Sequence, residues 1–227
     1  MSDPNLQRLR RLDVCAVSDA LDKLQLKGVV TGLPLRSSAP GGVSRIVGKA
    51  VTMKVGPGSS PPGPTKHLGC SAIEQSDSDN IIVVEQRSGV EAGCWGGLLT
   101  LGAKVRGVAG VIADGPLRDI DEAIAYEFPI YSRSLTSRTA RTRVVELGTQ
   151  VPVTIGALQG GEVLVTPGDY VLADRSAVIF IAPKHIEKVL EAAEMIVAKE
   201  ASMAKAILAG TPIGQVMGGN YEQMLER

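Results

Sequence analysis

Residues 95–122 read WGGLLTLGAKVRGVAGVIADGPLRDIDE, and this stretch decides the fold. Gly96–Arg106 has a helical pattern and is entered through two glycines, and Val108–Ala113 is an apolar run of strand length. Another apolar run, Ile81–Glu85 (IIVVE), precedes the helix. Strand, helix and strand at this spacing predict a βαβ-like unit.

Further helices and short strands flank this unit. Asp13–Leu24 is predicted as a short helix and Val43–Val55 as one or two strands, followed by a loop over Gly56–Thr65 (GPGSSPPGPT). A long helix over about residues 183–209, closed by a glycine, is the last element. We therefore expect one mixed α/β domain over residues 1–227, with a tail after the helix. The remaining strands are predicted at Val151–Ile155, Val163–Val165, Tyr170–Ala173 and Ala177–Ile181.

The overall composition excludes several classes of protein. Hydrophobic residues make up 44% of the chain and the formal net charge is zero, so no basic footprint for nucleic acid is present. No apolar run approaches the ~20 residues that span a bilayer, and the polar N-terminus does not resemble a signal peptide. The three cysteines form no CxxC pair and no zinc spacing, and such an odd, sparse set favours reduced thiols. We expect a cytoplasmic protein that binds neither nucleic acid nor membrane.

Charged residues follow the second strand of the βαβ unit. Arg118 and Asp119 lie in the run DGPLRDIDE at the strand's C-terminal end, where open α/β sheets bind ligands. Arg118 can hold a carboxylate through two parallel hydrogen bonds, and Asp119 and Glu122 are hard oxygen ligands of the type that Mg²⁺ or Mn²⁺ prefers. Alternatively, Asp119 caps a helix with Glu122 as its capping-box partner, and Arg118 forms a surface ion pair. Both interpretations can hold, since a cap can also face a metal.

Gly96 and Gly97 stand at the entrance of the central helix, before Leu98 and Leu99. Backbone N–H groups at a helix N-terminus have no partner within the helix, and residues without side chains let a carboxylate or phosphate approach them closely. The alternative is that the two glycines only make a tight turn.

Glu200 is a carboxylate on the apolar face of the terminal helix. At about 100° per residue it falls between Val197 and Ala204 in the apolar stripe, where a charge needs a partner. Either the helix delivers Glu200 to a site across a subunit interface, or Glu200 lies at a partly exposed helix end or in an ion pair.

His67, which follows the Pro/Gly loop, is either a substrate-contacting base or a surface histidine.

One family carries a similar arrangement over most of the chain. Gly97 and Arg118 are separated by twenty residues, Asp119 is next and Glu122 is three further on. This motif, together with the segments VSDAL (17–21) and PGD (167–169), resembles the 4-hydroxy-4-methyl-2-oxoglutarate / 4-carboxy-4-hydroxy-2-oxoadipate aldolases and the regulator-of-ribonuclease-activity-A-like (RraA-like) proteins. Such aldolases often have an acidic residue at the position of Gly97.

The resemblance implies a swivelling β/β/α domain that assembles into a homotrimer or a dimer of trimers, with active sites between subunits. Asp119 would bind a divalent metal, Mg²⁺ or Mn²⁺, with support from Glu122. Arg118 and the amides of Leu98 and Leu99 would hold the pyruvyl part of a 2-oxo acid. An acidic residue from the neighbour's terminal helix completes the site in the aldolases, and Glu200 falls at about that place.

The predicted activity is metal-dependent aldol cleavage or decarboxylation of a 2-oxo acid through a pyruvate enolate, with Arg118, Asp119 and Glu200 as the catalytic residues. Gly96, Gly97 and His67 would contribute to substrate binding. Two alternatives remain: a non-catalytic RraA-like regulator that binds a protein, or an enzyme such as a tautomerase or hydratase on the same scaffold.

Overall fold

The structure, a computed structural model, describes residues 3–59, 66–156 and 161–218. Within these residues it contains seven α-helices and eleven β-strands. Of the predicted loop 56–65, residues 56–57 belong to a strand and residues 60–65 lie outside the described part. The helices are α1 (Pro4–Leu9), α2 (Val14–Lys23), α3 (Cys70–Glu74), α4 (Gly97–Val105), α5 (Ile120–Ala125), α6 (Ile186–Leu208) and α7 (Ile213–Val216). The strands are β1 (Val29–Val30), β2 (Leu35–Ser37), β3 (Ile46–Pro57), β4 (Asn80–Glu85), β5 (Gly110–Leu117), β6 (Ile130–Leu135), β7 (Val144–Thr149), β8 (Val153–Gly156), β9 (Glu162–Val165), β10 (Tyr170–Ala173) and β11 (Val178–Ile181).

Four parallel strands, β3 to β6, form the centre of the main sheet. The sheet has the order β1-β11-β10-β3-β4-β5-β6-β2, and β7 also pairs with β3. β8 and β9 form a separate two-stranded sheet. The parallel pairing of β4 with β5, joined through α4, confirms the predicted βαβ unit.

The central strands read as unbroken apolar runs because both of their faces are covered. In β4, Ile82 and Val84 point into a core cluster shared with α3, α4 and α5. Ile81 and Val83 of the same strand point to the opposite face and pack with residues of the β8–β9 sheet. α1, α2 and α6 enclose another cluster against β10 and β11. The sheet therefore holds α4 and α5 firmly on one face.

The two predicted outer helices are confirmed. Asp13 caps α2 by accepting a hydrogen bond from the Ala16 amide at 2.9 Å, as its position before the apolar run predicts. α6 ends where Gly210 takes a left-handed conformation, with φ of +90°. Only the first half of α6 is buried, up to Ile196. No helix in the described segments is both long and apolar enough to cross a membrane.

Strand β5 continues four residues beyond its predicted end at Ala113. After a register shift between Ala113 and Pro116, Pro116 and Leu117 still pair with Ser134 and Leu135 of β6. The predicted end at Ala113 was wrong, because Gly115 and Pro116 are tolerated at such an irregularity and the strand runs to Leu117. Arg118 is consequently the first residue after a parallel strand.

Candidate active site

One cavity of about 770 Å³ lies beside the C-terminal end of β5 and the N-terminus of α4. It brings together most of the predicted site residues, which stand on separate elements. Glu200 is not among its lining residues and is exposed on α6 in this single chain. The predicted residues that line the cavity are His67, Gly96, Gly97, Leu98, Leu99, Arg118, Asp119 and Glu122.

Asp119 connects β5 to α5 in a left-handed conformation, with φ of +58° and ψ of +43°. Asp is one of the few residues that adopt this region readily. Its position is that of the N-cap of α5, yet its side chain makes no capping bond. Instead Asp119 Oδ2 accepts hydrogen bonds from the Gly97 amide at 3.0 Å and from Arg118 Nε at 3.1 Å. The carboxylate is thus aimed at the start of α4 rather than at its own helix.

The glycines at the start of α4 make room for carboxylates. A Cβ atom on Gly96 would lie 2.9 Å from Asp119 Oδ2, and one on Gly97 would lie only 1.8 Å from Glu122 Oε2. A Cβ atom on Gly97 would also lie 3.3 Å from Asp119 Cβ. The side chains of Asp119 and Glu122 therefore lie close together over the backbone of Gly96 and Gly97, which carry no side chains. Neither glycine has a positive φ, so a tight turn does not explain them.

A glycine outside the predicted motif positions Arg118. A Cβ atom on Gly93 would lie 2.8 Å from Arg118 Cγ and 2.9 Å from Arg118 Cδ. The Gly93 amide donates to the carbonyl oxygen of Arg138 at 2.9 Å, which fixes this stretch of backbone. Because Arg118 uses Nε for Asp119, its two terminal nitrogens remain as a pair of donors for an anion.

The N-terminus of α4 supplies further donors. The first helical bond from a backbone amide runs from Thr100 to the carbonyl of Gly96 at 3.0 Å. The amides of Leu98 and Leu99 have no partner within the described chain, as expected for the first turn of a helix. Beneath this turn, the buried Trp95 donates through Nε1 to Thr100 Oγ1 at 3.0 Å. A rigid packed base thus holds the free amides beside Arg118.

Other candidate groups are less suited to chemistry. Burial raises the pKa of the Cys94 thiol to about 12, and its Sγ donates to the carbonyl of Pro116, so Cys94 is not a nucleophile. Lys104 is exposed and donates to the carbonyl of Tyr126 outside the cavity. His67 is exposed at the cavity rim, and its Nδ1 lies 2.8 Å from the carbonyl oxygen of Leu68.

The sequence analysis gave no signal for several lining residues, among them Gly93, Thr139 and Arg141. They reach the cavity through the hydrogen bond between Gly93 and Arg138, which are 45 residues apart in the chain. A hydrogen bond between residues so far apart in the chain leaves no local pattern in the sequence.

A sequence model of the RraA-like family, described as Aldolase/RraA, matches residues 14–180. This chain belongs to the RraA-like family. A relative from Halalkalibacterium halodurans, named "Putative 4-hydroxy-4-methyl-2-oxoglutarate aldolase", is 27% identical over 204 residues, which cover 89% of this chain and 88% of that protein. An uncharacterized protein from Methanocaldococcus jannaschii is 31% identical over 127 residues, which cover 56% of this RraA-like chain and 58% of the archaeal one.

Solved structures support the same assignment. The RraA-like chain superimposes on an uncharacterized protein from Pseudomonas syringae pv. tomato with a TM-score of 0.81 at 27% identity, covering 96% of this chain and 98% of the other. RraAS2 from Streptomyces coelicolor, described as an unusual member of the RNase ES inhibitor RraA protein family, gives a TM-score of 0.74 at 20% identity, covering 88% and 96%. At this identity, the similarity to RraAS2 shows the fold alone. The predicted α/β fold of the RraA-like type and the family resemblance are confirmed.

Proposed function

We propose that this RraA-like protein is a divalent-metal-dependent carbon–carbon lyase, which cleaves or decarboxylates a 2-oxo acid through a pyruvate enolate. The observation that carries the proposal is the convergence of Asp119, Glu122 and Arg118 on the free amides of α4 within one cavity. The relatives named as 4-hydroxy-4-methyl-2-oxoglutarate aldolases support the same class of reaction.

The carboxylates fit a hard divalent cation such as Mg²⁺ or Mn²⁺. Asp119 and Glu122 face the same point above Gly97, where an added Cβ atom would displace Glu122 Oε2. No group of three or more His, Cys, Asp or Glu side chains suited to a metal exists among the described residues. Mg²⁺ is commonly held by one or two carboxylates, with waters and substrate oxygens completing its shell. When bound, the metal would act as a Lewis acid toward the 2-oxo group and carboxylate of the substrate.

The chain's own residues are suited to bind and polarise the pyruvyl group. Arg118 offers two terminal nitrogens for the substrate carboxylate, and the amides of Leu98 and Leu99 offer fixed donors toward oxygens that gain negative charge. These groups stabilise the enolate more than the uncharged ketone. They therefore favour the loss of an aldehyde, a ketone or CO₂ from the carbon next to the 2-oxo group. No lysine lines the described cavity, so a Schiff-base route has no candidate residue there.

Assembly as a trimer, or as two stacked trimers, belongs to the same proposal. The second half of α6 is exposed in the single chain, and Glu200 stands on it, away from the cavity. Ile207 and Leu208 of this half are 40% and 89% exposed. Packing of this segment on a second copy would bury them and bring Glu200 to the neighbour's site, as the family resemblance implies.

The test is pyruvate release from oxaloacetate and from 4-carboxy-4-hydroxy-2-oxoadipate, measured by coupling to lactate dehydrogenase. We expect release with Mg²⁺ or Mn²⁺, loss of release with EDTA, and a loss of at least about a hundredfold in Asp119→Ala. Asp121→Ala is the matched control, because Asp121 is an exposed carboxylate two residues away that does not line the cavity.

Retained release in Asp119→Ala, or metal-independent release, would contradict the proposal. Absence of release from every 2-oxo acid would favour the alternative of a protein-binding regulator. Release of product from another substrate class would favour a different enzyme on this scaffold.

A further inference from the structure

A second cavity of about 560 Å³, the recess, shares lining residues with the candidate active site. His67, Thr139 and Arg141 line both parts, so they form the boundary between them. A substrate that is held by Arg118 and extends toward these shared residues would place its far end beside the recess. The side chains that line the recess would therefore decide which substrate tails fit.

Arg141 brings a positive charge to this boundary. In the described residues its guanidinium has neither an ion pair nor a hydrogen bond, and the segment 60–65 (SPPGPT) contains no acid. Glu146, which also lines the recess, is already engaged by the Gly69 amide at 2.8 Å and by Thr149 Oγ1 at 2.5 Å. The other cations nearby are paired within the chain: Arg118 with Asp119, Lys66 with Glu74, Arg138 with Glu91, and Arg143 with the carbonyl of Thr139.

The turn that carries Arg141 is held in place from both sides. The carbonyl of Arg138 accepts from the Gly93 amide, and the carbonyl of Ala140 accepts from the amides of Arg143 at 2.9 Å and Val144 at 3.0 Å. Thr142, directly after Arg141, has φ of +63°. A β-branched residue in this region is a genuine outlier, and such strain persists only where the surroundings impose it.

We propose that Arg141 binds a second carboxylate at the end of the substrate opposite the pyruvyl group, and that it selects 2-oxo dicarboxylates over 2-oxo monocarboxylates. This inference rests on the proposed function. A guanidinium binds a carboxylate through two charge-assisted hydrogen bonds. His67 does not offer this, because its Nδ1 is taken by the Leu68 carbonyl and only one ring nitrogen, Nε2, remains.

The experiment compares two ligands that differ only in the distal group. Binding of 2-oxoglutarate and of 2-oxopentanoate is measured by isothermal titration calorimetry in the presence of Mg²⁺, for the wild type, Arg141→Gln and Arg138→Gln. Arg138→Gln is the matched control: it removes the same charge three residues away, from a side chain that does not line either part of the cavity.

We expect the wild type to bind 2-oxoglutarate about fivefold to tenfold more tightly, the range between an exposed and a partly desolvated charged pair. Arg141→Gln should lose this preference while keeping its affinity for 2-oxopentanoate, and Arg138→Gln should behave as the wild type. Equal affinities in the wild type, or the same loss of affinity for both ligands in Arg141→Gln, would overturn the role of Arg141. If the wild type binds neither ligand, the proposed function itself fails and this inference fails with it.

Discussion

Gly97 shows how a single residue decides the chemistry of the site. From the sequence it is either part of a tight turn or a place of close ligand approach. The structure indicates a more specific reason, because Glu122 Oε2 occupies the position in which a side chain at residue 97 would begin. Where similar aldolases carry an acidic residue at this position, the present chain brings a carboxylate to the same space from α5.

Gly97→Ala is expected to displace Glu122 and to lower metal-dependent turnover by about tenfold to a hundredfold, the usual effect of disturbing groups that support a metal. The apparent affinity for Mg²⁺, measured by titrating activity, should fall with it. Gly102→Ala is the matched control in the same helix, since its Cβ would make only ordinary contacts with the Ile73 side chain, at 3.7 and 3.9 Å. Equal losses in both variants would mean that the helix, rather than Glu122, was disturbed.

The local motif allowed Arg118, Asp119, Glu122 and the two α4 glycines to be predicted, because their spacing is short and they flank one strand. The left-handed backbone of Asp119 could not be predicted, and neither could the position of Arg141. Both depend on contacts between distant segments, such as the hydrogen bond from Gly93 to Arg138.

At the scale of elements, the sequence predicted the long helices and the strands with strong apolar runs, including the four-residue strands β8 to β11, and missed several other short elements. α2, α4 and α6 carry enough residues to show an amphipathic stripe. α1, α3, β1, β2, β6 and β7 were not predicted, and each has six residues or fewer. β7 illustrates the reason. It is defined by its antiparallel pairing with the second half of β3 across a long stretch of chain, rather than by its own alternation.

α1 is fastened to the sheet by a charged cluster. Lys49 Nζ lies 2.6 Å from Asp3 Oδ2, and the Tyr170 hydroxyl donates to the same oxygen at 2.7 Å. Burial alone would raise the pKa of the Asp3 carboxyl, but hydrogen bonds from Lys49, Tyr170 and the Asn5 amide lower it to about 2. Asp3 thus links the N-terminal helix to β3 and β10.

Because the folded-state pKa of Asp3 lies below its unfolded value, its contribution to stability is present above about pH 4 and is lost as the pH falls through 2. Asp3→Asn keeps an oxygen that can cap α1, but it removes the charge and replaces Oδ2, which faces Lys49 and Tyr170, with an amide nitrogen. We expect it to lower the free energy of unfolding by about 1 kcal/mol at pH 7, a value reduced by solvent screening of Lys49. Urea denaturation at pH 7, 4 and 2.5 measures the free energy of unfolding of the wild type and the variant. The difference between the two proteins should become smaller toward the lowest pH. A constant difference would assign the effect to packing.

At the scale of the whole molecule, the single chain leaves apolar surface beside the site and along α6. Leu98 and Val105 on α4 are 84% and 79% exposed, and Leu208 on α6 is 89% exposed. A helical repeat identifies which face of α6 is apolar but not which surface covers it. The sequence therefore predicted the stripe around Glu200, whereas in one chain the burial of α6 ends at Ile196. The covering copy proposed above would account for both the exposed leucines and the position of Glu200 away from the cavity.

Mixing two inactive variants tests whether each site is shared between copies. Asp119→Ala and Glu200→Ala should each be inactive alone. If a site takes Asp119 from one copy and Glu200 from the next, random trimers formed from equal amounts should regain about a quarter of wild-type activity, because one neighbour pair in four supplies both residues. Subunits are exchanged by mild denaturation and refolding, and assembly is verified by light scattering. Recovery of activity would place Glu200 across an interface. No recovery in fully mixed trimers would confine each site to a single chain, and an active Glu200→Ala variant would remove Glu200 from the mechanism.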